Sequence, residues 1–364
     1  MVAAFANNVA RCTGLALLVG LLSFLPGCWS KASTNVVEWH GPTMGTEWRI
    51  SFGLQNHDLR ELNNPQSSKH KSLHQSIVRE LERINQLMST WDPASELSLF
   101  NANRSTEPVS WHTDSLTVLQ AALAVSAATD GAYDVTRGKV FDLWGFGANV
   151  AEAKAPSEAQ LHKALSLSGY QSISVSATEV SKLHGELSID LSSLAKGFAV
   201  DRLGEVLESA GIQHYVVNIG GEIRVRGERS QNSAWRIGVE QPDATVAYGL
   251  ALDDAHLATS GSYRNVRVVD GQRVSHLIDG RTGEPIAHNL VAATVLHEST
   301  LWADAWATAY MVLGAEPAQT HAIEHELAVQ LTTLNTLPQG TSEPLEFTVW
   351  QSPKWLELPS VAVQ

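Results

Sequence analysis

A carboxylate and a hydroxyl lie one helical turn apart in an otherwise apolar segment at residues 301–308. Because Asp304 and Thr308 are spaced at i and i+4, they share one face of a helix. Burying an unpaired charge is costly. A hard cation such as Mg²⁺, which shares its oxygen ligands with phosphate and water, would supply a partner. A second interpretation stays open here: Asp304 could stabilise the helix dipole while Thr308 hydrogen-bonds to a carbonyl of its own helix.

Residues 190–197 open a predicted helix with several small residues. Backbone N–H groups at a helix N-terminus attract phosphate, and Lys196 could add positive charge there. Asp190 could cap the helix or bind a ligand. The segment has neither the spacing of a Walker loop nor that of a dinucleotide-binding fingerprint. It therefore indicates a phosphate site of another kind, or simply a capped helix.

His276 is the best candidate for a general base by residue type, because the pKa of histidine lies near neutrality. It ends a predicted strand, where a histidine often has a purely structural partner. Three other segments are candidates for contacts with a ligand. The glycine pair Gly220-Gly221 lies between strand patterns and allows a bulge or the close approach of a ligand. Residues 131–134 and 143–147 combine aromatics with glycines, which suits a pocket for a planar ring or, alternatively, core and turns.

These segments must be positioned by a mixture of helices and strands. Apolar residues at helical spacing predict helices near residues 74–88, 116–127, 156–165, 199–207, 300–313 and 318–327. Strand patterns occur at residues 50–52, 187–191, 214–219, 223–225, 235–239, 249–252, 266–269, 272–276 and 290–296, with two more near the C-terminus. Residues 56–71 are predicted as a loop. Because no strict βαβ alternation is present, we predict an α+β fold with mixed, mainly antiparallel sheets and flanking helices.

Composition excludes several classes of protein. The chain has 364 residues, of which 44% are hydrophobic and 17% charged, so it is not disordered or of low complexity. Its net charge of −13 and the lack of any run of Lys and Arg argue against nucleic-acid binding. The only cysteines are Cys12 and Cys28, which excludes a disulfide framework.

The N-terminus has the pattern of a secretory signal. Residues 13–24 are apolar and follow Arg11, and they are too few to span a bilayer comfortably. Residues 25–28 resemble the lipobox of bacterial lipoproteins, in which cleavage leaves the cysteine lipidated. The resemblance implies a signal peptide at residues 1–27, a lipidated Cys28 and a tether at residues 28–39. An ordinary signal peptide, or a buried apolar segment with an incidental cysteine, is the alternative.

Taken in this order, the motifs resemble the ApbE family of flavin transferases, which are bacterial FAD:protein FMN transferases. The resemblance runs from Gly41 to Gly314 and includes residues 41–46, 88–91, 95–101, 131–134, 190–197, 220–221, 259–261, 275–285 and 303–308. It implies an ApbE-like fold of two intertwined subdomains. The catalytic domain is expected at residues 40–350, followed by a C-terminal tail at residues 351–364.

The resemblance also implies a role for each matched residue. Mg²⁺ would be bound by the side chains of Asp304 and Thr308 and by the backbone carbonyl of Ser193. His276 would be the catalytic base. Contacts with FAD are implied for Met44, Trp91, Ala132, Tyr133, Asp134, Asp190, Lys196, Leu277 and Ile278.

The implied activity is Mg²⁺-dependent transfer of FMN from FAD to a Thr or Ser hydroxyl of a target protein, with release of AMP. The expected acceptor is a membrane-bound electron-transfer subunit, and the expected location is the bacterial cell envelope, lipid-anchored to the inner or outer membrane and facing the periplasm. Two alternatives remain: a Mg²⁺-dependent FAD pyrophosphatase, if water replaces the acceptor, and a non-catalytic FAD-binding lipoprotein.

Overall fold

The computed structural model describes residues 36–147, 154–241, 246–262, 266–269, 272–335 and 346–361. The predicted signal peptide, Cys28 and most of the predicted tether lie outside these residues. In the part of the chain that is described, no helix combines the length and the apolar character needed to cross a membrane.

Strands make up much of the described chain. They are β1 (Val37–Thr43), β2 (Thr46–Phe52), β3 (Val109–Ser110), β4 (Ile173–Val175), β5 (Glu179–Lys182), β6 (Tyr215–Ile219), β7 (Glu222–Arg226), β8 (Trp235–Glu240), β9 (Val246–Leu252), β10 (Asp254–Gly261), β11 (Val266–Val269), β12 (Gln272–Ser275), β13 (Ile278–Asp279), β14 (Glu284–Pro285), β15 (Leu290–His297), β16 (Ala328–Leu334), β17 (Phe347–Gln351) and β18 (Ser360–Val361).

Helices of very different lengths accompany these strands. They are α1 (Leu59–Leu62), α2 (Ser68–Met88), α3 (Glu96–Ala102), α4 (Thr113–Ala128), α5 (Gly138–Trp144), α6 (Glu158–Ser166), α7 (Ser192–Ser209), α8 (Thr300–Leu313), α9 (Ala315–Glu324) and α10 (Pro353–Leu356).

The largest sheet orders its strands β1-β2-β6-β7-β10-β15-β16-β17, and every neighbouring pair is antiparallel. The main apolar core joins this sheet to α2, α4, α7 and α8. A second apolar cluster joins β7, β10 and β16 to the small sheet β18-β9-β8. The predicted α+β class with mainly antiparallel sheets is therefore confirmed.

Helix α8 follows the prediction closely. Ser299 caps it by accepting a hydrogen bond from the backbone N–H of Trp302, and Gly314 ends it with a φ of 86°. Almost every side of the helix is buried, because it packs against α7, β10 and β15. Asp201 of α7 also accepts hydrogen bonds from the backbone N–H groups of Thr300 and Leu301, at 3.0 and 2.9 Å. Helix α7 thus fixes the start of α8.

The strand predicted at residues 187–191 does not form. The alternate residues are buried, as an extended segment requires: Leu187, Ile189 and Leu191. However, the backbone of Ile189 pairs with the side-chain amide of Asn101 through two hydrogen bonds of 2.8 Å. The N–H of Asp190 donates to the carbonyl of Val135. A side chain and a turn therefore replace the neighbouring strand that a ladder needs.

Three other predictions are corrected at the edges of the fold. The predicted loop at residues 56–71 contains α1 and the start of α2. The predicted boundaries at 39/40 and 350/351 fall inside the folded unit, which begins at Val36. Strand β1 starts before residue 40, and the predicted C-terminal tail contains α10 and β18. Trp355 of α10 is only 2% exposed, and Ser360 pairs with Leu250 of β9.

The hairpin prediction around residues 270–271 fits the flanking strands. Those two residues lie outside the described part of the chain. Val269 and Gln272 pair with each other in the antiparallel ladder of β11 and β12, which leaves a two-residue connection between them. Such a connection is typical of an Asp-Gly turn. His276 follows directly after this hairpin, at a bend rather than in the strand.

Candidate active site

A cavity of about 350 Å³ lies where the start of α7, the middle of α8 and the segment after β12 meet. This volume is in the range of small-molecule pockets, roughly 300–1,000 Å³. Most of the predicted site residues line it: Tyr133, Asp134, Asp190, Ser193, Lys196, His276, Leu277, Ile278, Asp304 and Thr308. The tertiary structure therefore brings together motifs that are widely separated in the sequence.

Three predicted FAD contacts are not brought to this cavity. Trp91 lies in the connection between α2 and α3, and its side chain is 69% exposed. Met44 forms the β1–β2 turn, with a φ of 46°, and packs against the main core. Ala132 is fully buried, and its carbonyl accepts a hydrogen bond from Gly280. A direct role in ligand binding for these residues stays a prediction.

Asp304 is 1% exposed, and its two carboxylate oxygens have different surroundings. Oδ2 accepts a hydrogen bond of 2.9 Å from the backbone N–H of Gly197, whereas Oδ1 lies 3.7 Å from Nζ of Lys196. Burial and the nearby Glu222 raise the pKa of Asp304, whereas Lys196 and the Gly197 N–H favour the charged form. Protonation of the Asp304 carboxylate would remove the buried charge, and a bound cation would offset it.

A glycine is required where α7 meets α8. A Cβ built on Gly197 would lie 2.4 Å from the carbonyl oxygen of Thr300 and 2.8 Å from Cβ of Asp304. Contacts this short with backbone cannot be relieved by a rotamer change. Gly197 therefore allows the close approach of the two helices that gives Asp304 its backbone hydrogen bond.

Hydroxyl groups complete the oxygen-rich side of the cavity. Oγ1 of Thr308 lies 3.0 Å from Oγ of Ser260, and the phenol oxygen of Tyr133 lies 2.8 Å from Oγ of Ser193. Burial raises the pKa of Tyr133, which keeps its phenol protonated. Within the described residues no group of three His, Cys, Asp or Glu side chains could hold a metal ion. A hard cation at Asp304 and Thr308 would thus complete its shell with carbonyl, water and ligand oxygens, as Mg²⁺ commonly does.

Glu222 is a cavity residue that the sequence analysis missed. It begins β7 directly after the Gly220-Gly221 turn and is 2% exposed. Its Oε1 lies 2.7 Å from Nζ of Lys196. Burial lowers the pKa of Lys196, but Asp304 and Glu222 outweigh this effect and leave that pKa above its ordinary value. The signal that could have found Glu222 is an acidic side chain at a strand position directly after two glycines.

The start of α7 presents several of its residues to the cavity: Ser192, Ser193 and Lys196. Asp190 precedes the helix, and its Oδ1 accepts a hydrogen bond of 2.8 Å from the backbone N–H of Ser192. Asp190 therefore orders the entry to the helix while it also lines the cavity. A helix N-terminus with a nearby lysine is a suitable environment for phosphate, as the sequence predicts.

The carboxylate of Asp134 has a structural function. Its Oδ1 accepts hydrogen bonds from the backbone N–H and the hydroxyl of Thr136, at 2.9 and 2.6 Å. Its Oδ2 accepts from the backbone N–H of Tyr170, and Arg137 lies at ion-pair distance, 3.3 Å. The side chain is thus satisfied by protein groups, and the predicted contact of Asp134 with FAD stays a prediction.

His276 lies beside Phe146, with the two ring centroids 6.3 Å apart and edge-to-face. The turn that follows is tied to the residues 131–134 by a hydrogen bond of 2.8 Å from the N–H of Gly280 to the carbonyl of Ala132. A Cβ at residue 280 would lie 2.4 Å from the carbonyl oxygen of Gly131. This close contact fixes the segment that carries His276, Leu277 and Ile278 against the cavity.

Comparisons with known proteins agree with this arrangement. The ApbE family model matches residues 44–331. A FAD:protein FMN transferase of Vibrio cholerae serotype O1 is 38% identical over 315 residues, which covers 86% of this chain and 92% of the relative. A FAD:protein FMN transferase of Escherichia coli strain K12 is 35% identical over 357 residues, covering 94% and 96%.

Solved structures give the same result. The flavin transferase ApbE from Vibrio cholerae superposes with a TM-score of 0.77 at 36% identity and covers 88% of this chain and 98% of its own. The apo form of the flavinyl transferase ApbE from Pseudomonas stutzeri superposes with a TM-score of 0.77 at 32% identity, covering 89% and 96%.

Proposed function

The chain belongs to the ApbE family, and from this premise we propose that it transfers FMN from FAD to a hydroxyl group of a target protein. The observation that carries the proposal is the single cavity shared by the start of α7, the Asp304–Thr308 pair and His276. A phosphate-binding helix start, a cation-binding pair and a base are the groups that transfer of a phosphoryl-linked group needs.

The reaction is a displacement at phosphorus. The acceptor Thr or Ser oxygen forms a bond to the phosphorus on the FMN side of the FAD pyrophosphate, and the bond from that phosphorus to the bridging oxygen breaks. The electron pair leaves with AMP, and His276 takes the acceptor proton. The start of α7 and Lys196 orient the phosphates, and Tyr133 holds Ser193 in place through the 2.8 Å contact of their hydroxyls.

We propose Mg²⁺ as the cation of this site. The side chains of Asp304 and Thr308 and the backbone carbonyl of Ser193 would hold it. When bound, it would neutralise negative charge on the phosphates. Support comes from the donor set, which consists of hard oxygens, and from the buried carboxylate of Asp304, whose Oδ1 lies 3.7 Å from Nζ of Lys196.

The acceptor and the location are proposed from the sequence. A signal peptide at residues 1–27 and a lipidated Cys28 would anchor the enzyme to a bacterial membrane, facing the periplasm. A membrane-bound electron-transfer subunit is then the proposed acceptor, because it would present its Thr or Ser on the same side. Replacing Cys28 by Ala should release a soluble, active enzyme, whereas an unprocessed cytoplasmic chain would contradict the anchor.

The activity is tested by incubating the protein with FAD and Mg²⁺, with and without a candidate acceptor. Flavin fluorescence of the acceptor band on a denaturing gel, together with AMP release, is expected. Free FMN and AMP with no labelled acceptor would instead indicate a pyrophosphatase. FAD that stays intact under all conditions would contradict the proposal.

The metal assignment is tested by variants of α8. Asp304→Ala should abolish transfer, Thr308→Ala should reduce it, and Thr308→Ser should retain much of it because an oxygen ligand remains. Asp253→Ala, which removes an exposed carboxylate, is the control. Mg²⁺-dependent AMP release is measured beside thermal melts. If Asp304→Ala only melts earlier and turns over normally, the metal assignment is wrong.

The base is tested by His276→Ala. FAD binding should be retained while transfer slows at least about tenfold, because a general base acts on the chemical step, where contributions of roughly 10²- to 10⁴-fold are typical. Binding is followed by flavin fluorescence and chemistry by single-turnover labelling. Loss of binding with normal turnover of the bound fraction would make His276 a positioning residue.

A further inference from the structure

Lys196, Glu222 and Asp304 form one charged cluster in the wall of the cavity, here called the charge triad. Nζ of Lys196 lies between the two carboxylates, 2.7 Å from Oε1 of Glu222 and 3.7 Å from Oδ1 of Asp304. Both acidic side chains are only 2% exposed, whereas the Lys196 side chain is 27% exposed. The lysine is therefore the member with room to move.

The two carboxylates each have one oxygen with spare capacity. Oδ2 of Asp304 already accepts the Gly197 N–H, so Oδ1 is the oxygen left for a cation, and the Lys196 ammonium lies beside it. Oε2 of Glu222 is buried and has no hydrogen-bond partner among the described residues. An unsatisfied buried acceptor is unfavourable, and an ammonium group with three donors could satisfy it.

The backbone makes Glu222 the fixed member of the charge triad. It pairs with Ile219 across the β6–β7 turn, and the side chain of Asn218 accepts a hydrogen bond from the Gly221 N–H within that turn. Lys196 reaches the cavity on a flexible four-carbon side chain. A cation that arrives at Oδ1 of Asp304 repels the ammonium group, and Glu222 is the acceptor toward which Lys196 can withdraw.

We propose that Glu222 is a positioning residue that sets the cation affinity of Asp304 by holding Lys196 away from it. Without Glu222, the ammonium group of Lys196 would turn to Oδ1 of Asp304 and compete with the cation. Glu222 thus acts on the metal site through Lys196 and not as a ligand. The proposal rests on the metal assignment of the proposed function.

A double-mutant cycle tests this relation. The Mg²⁺ dissociation constant is measured by calorimetry, without FAD, for the wild type, Glu222→Gln, Lys196→Met and the double variant. Glu222→Gln should weaken Mg²⁺ binding about tenfold in the wild-type background, a size usual for coupled neighbours. In the Lys196→Met background it should change binding less than about twofold, because no competing cation remains.

Equal weakening in both backgrounds would overturn the proposal, since Glu222 would then act through its charge or as a ligand. No weakening in the wild-type background would overturn it as well. Glu47→Gln, an exposed change of the same charge, is the control and should leave Mg²⁺ binding unchanged. If a variant does not fold, as judged by circular dichroism, Glu222→Ala and Lys196→Gln, which remove the same charges, replace it with the same expected pattern.

Failure of the metal assignment gives a different result. If Asp304→Ala binds Mg²⁺ as tightly as the wild type, the assignment of the proposed function is wrong whatever the cycle gives. A wild type that binds no Mg²⁺ overturns both. If Asp304→Ala loses Mg²⁺ binding as expected, but the effects of the Glu222 and Lys196 substitutions simply add, only the role of Glu222 is overturned.

Discussion

Two lysines reach into the interior of this protein, and they differ in every other respect. Lys182 of β5 is 3% exposed, and its Nζ donates to the carbonyls of Phe100 and Leu187, at 3.0 and 3.1 Å. It forms no ion pair within the described part of the chain. Burial lowers its pKa to about 8. Lys196, between two carboxylates, has a pKa above the ordinary value.

Burial of a lysine therefore does not by itself indicate a functional site. Lys182 lies 4.7 Å from the ring centroid of Phe100. It donates to the carbonyl of Phe100, which the end of α3 leaves without an intrahelical partner, and to the carbonyl of Leu187. Lys196 instead forms ion pairs with Glu222 and Asp304, two acidic side chains that line the cavity. Only the second arrangement can respond to a cation or a phosphate, because its partners are charges rather than backbone dipoles.

The two regions are nevertheless connected through the chain. Lys182 holds the carbonyl of Leu187, and Asn101 holds the backbone of Ile189. The next residue is Asp190, which lines the cavity and orders the start of α7. The hydrogen bonds of Lys182 and Asn101 to residues 187–189, here called the junction, therefore fix the segment that leads into the site around Lys196.

The largest contrast is expected in activity. Lys196→Met should lower kcat/KM for transfer about 10²-fold, the usual order for removing one preorganised group that stabilises transition-state charge. Lys182→Met should stay within about threefold of the wild type per folded molecule, because Lys182 is not among the residues that line the cavity. Transfer kinetics on folded protein measure both values. A Lys196→Met enzyme with normal turnover would show that Lys196 does not contribute to the transfer reaction.

Stability should respond in the opposite way. Lys182→Met leaves the carbonyls of Phe100 and Leu187 without donors, and the free energy of unfolding should fall by about 1–3 kcal/mol. Urea unfolding followed by circular dichroism measures this change. An unchanged midpoint and slope would mean that water satisfies the two carbonyls and that the junction is less tightly closed than the structure indicates.

A smaller loss is expected at the neighbouring amide. Asn101→Ala removes the two hydrogen bonds to Ile189, and the free energy of unfolding should fall by about 1 kcal/mol. Because Asp190 follows directly, KM for FAD should rise a few-fold while kcat changes little. Asn64→Ala, which removes an exposed amide that accepts one hydrogen bond from the Gln66 N–H, is the control. A fall in kcat alone would show that the junction affects chemistry and not binding.

The last contrast concerns pH. The pKa of Lys182 falls from 10.5 to about 8 on folding, so the unfolded state binds more protons between these values and stability must rise with pH there. The free energy of unfolding of the wild type relative to Lys182→Met should therefore increase from about pH 8 to pH 10.5 and stay constant below pH 8. Urea titrations across this range test it, and a difference that falls with pH would contradict the assigned direction.

Much of the fold could be predicted because its signals are local. The limits of α8 follow from Ser299, the apolar run and Gly314, and the spacing of Asp304 and Thr308 places both on one face. The mainly antiparallel sheets follow from short strand patterns without βαβ alternation. The order of the motifs identifies the family, since each motif keeps the residue types that its chemistry needs.

The remaining features depend on contacts between distant parts of the chain. Residues 187–191 alternate like a strand, but Asn101 and Val135 take the hydrogen bonds of Ile189 and Asp190, and no sequence pattern shows which partner an extended segment will find.

The charge triad has the same origin. Helix α7 supplies Lys196, β7 supplies Glu222 and α8 supplies Asp304, and their distances follow from the way these elements pack. The sequence alone determined which side chains could do the chemistry. Which of them form ion pairs follows only from the tertiary structure. Coulomb interactions depend on separation in space and on burial, and the spacing of residues along the chain specifies neither.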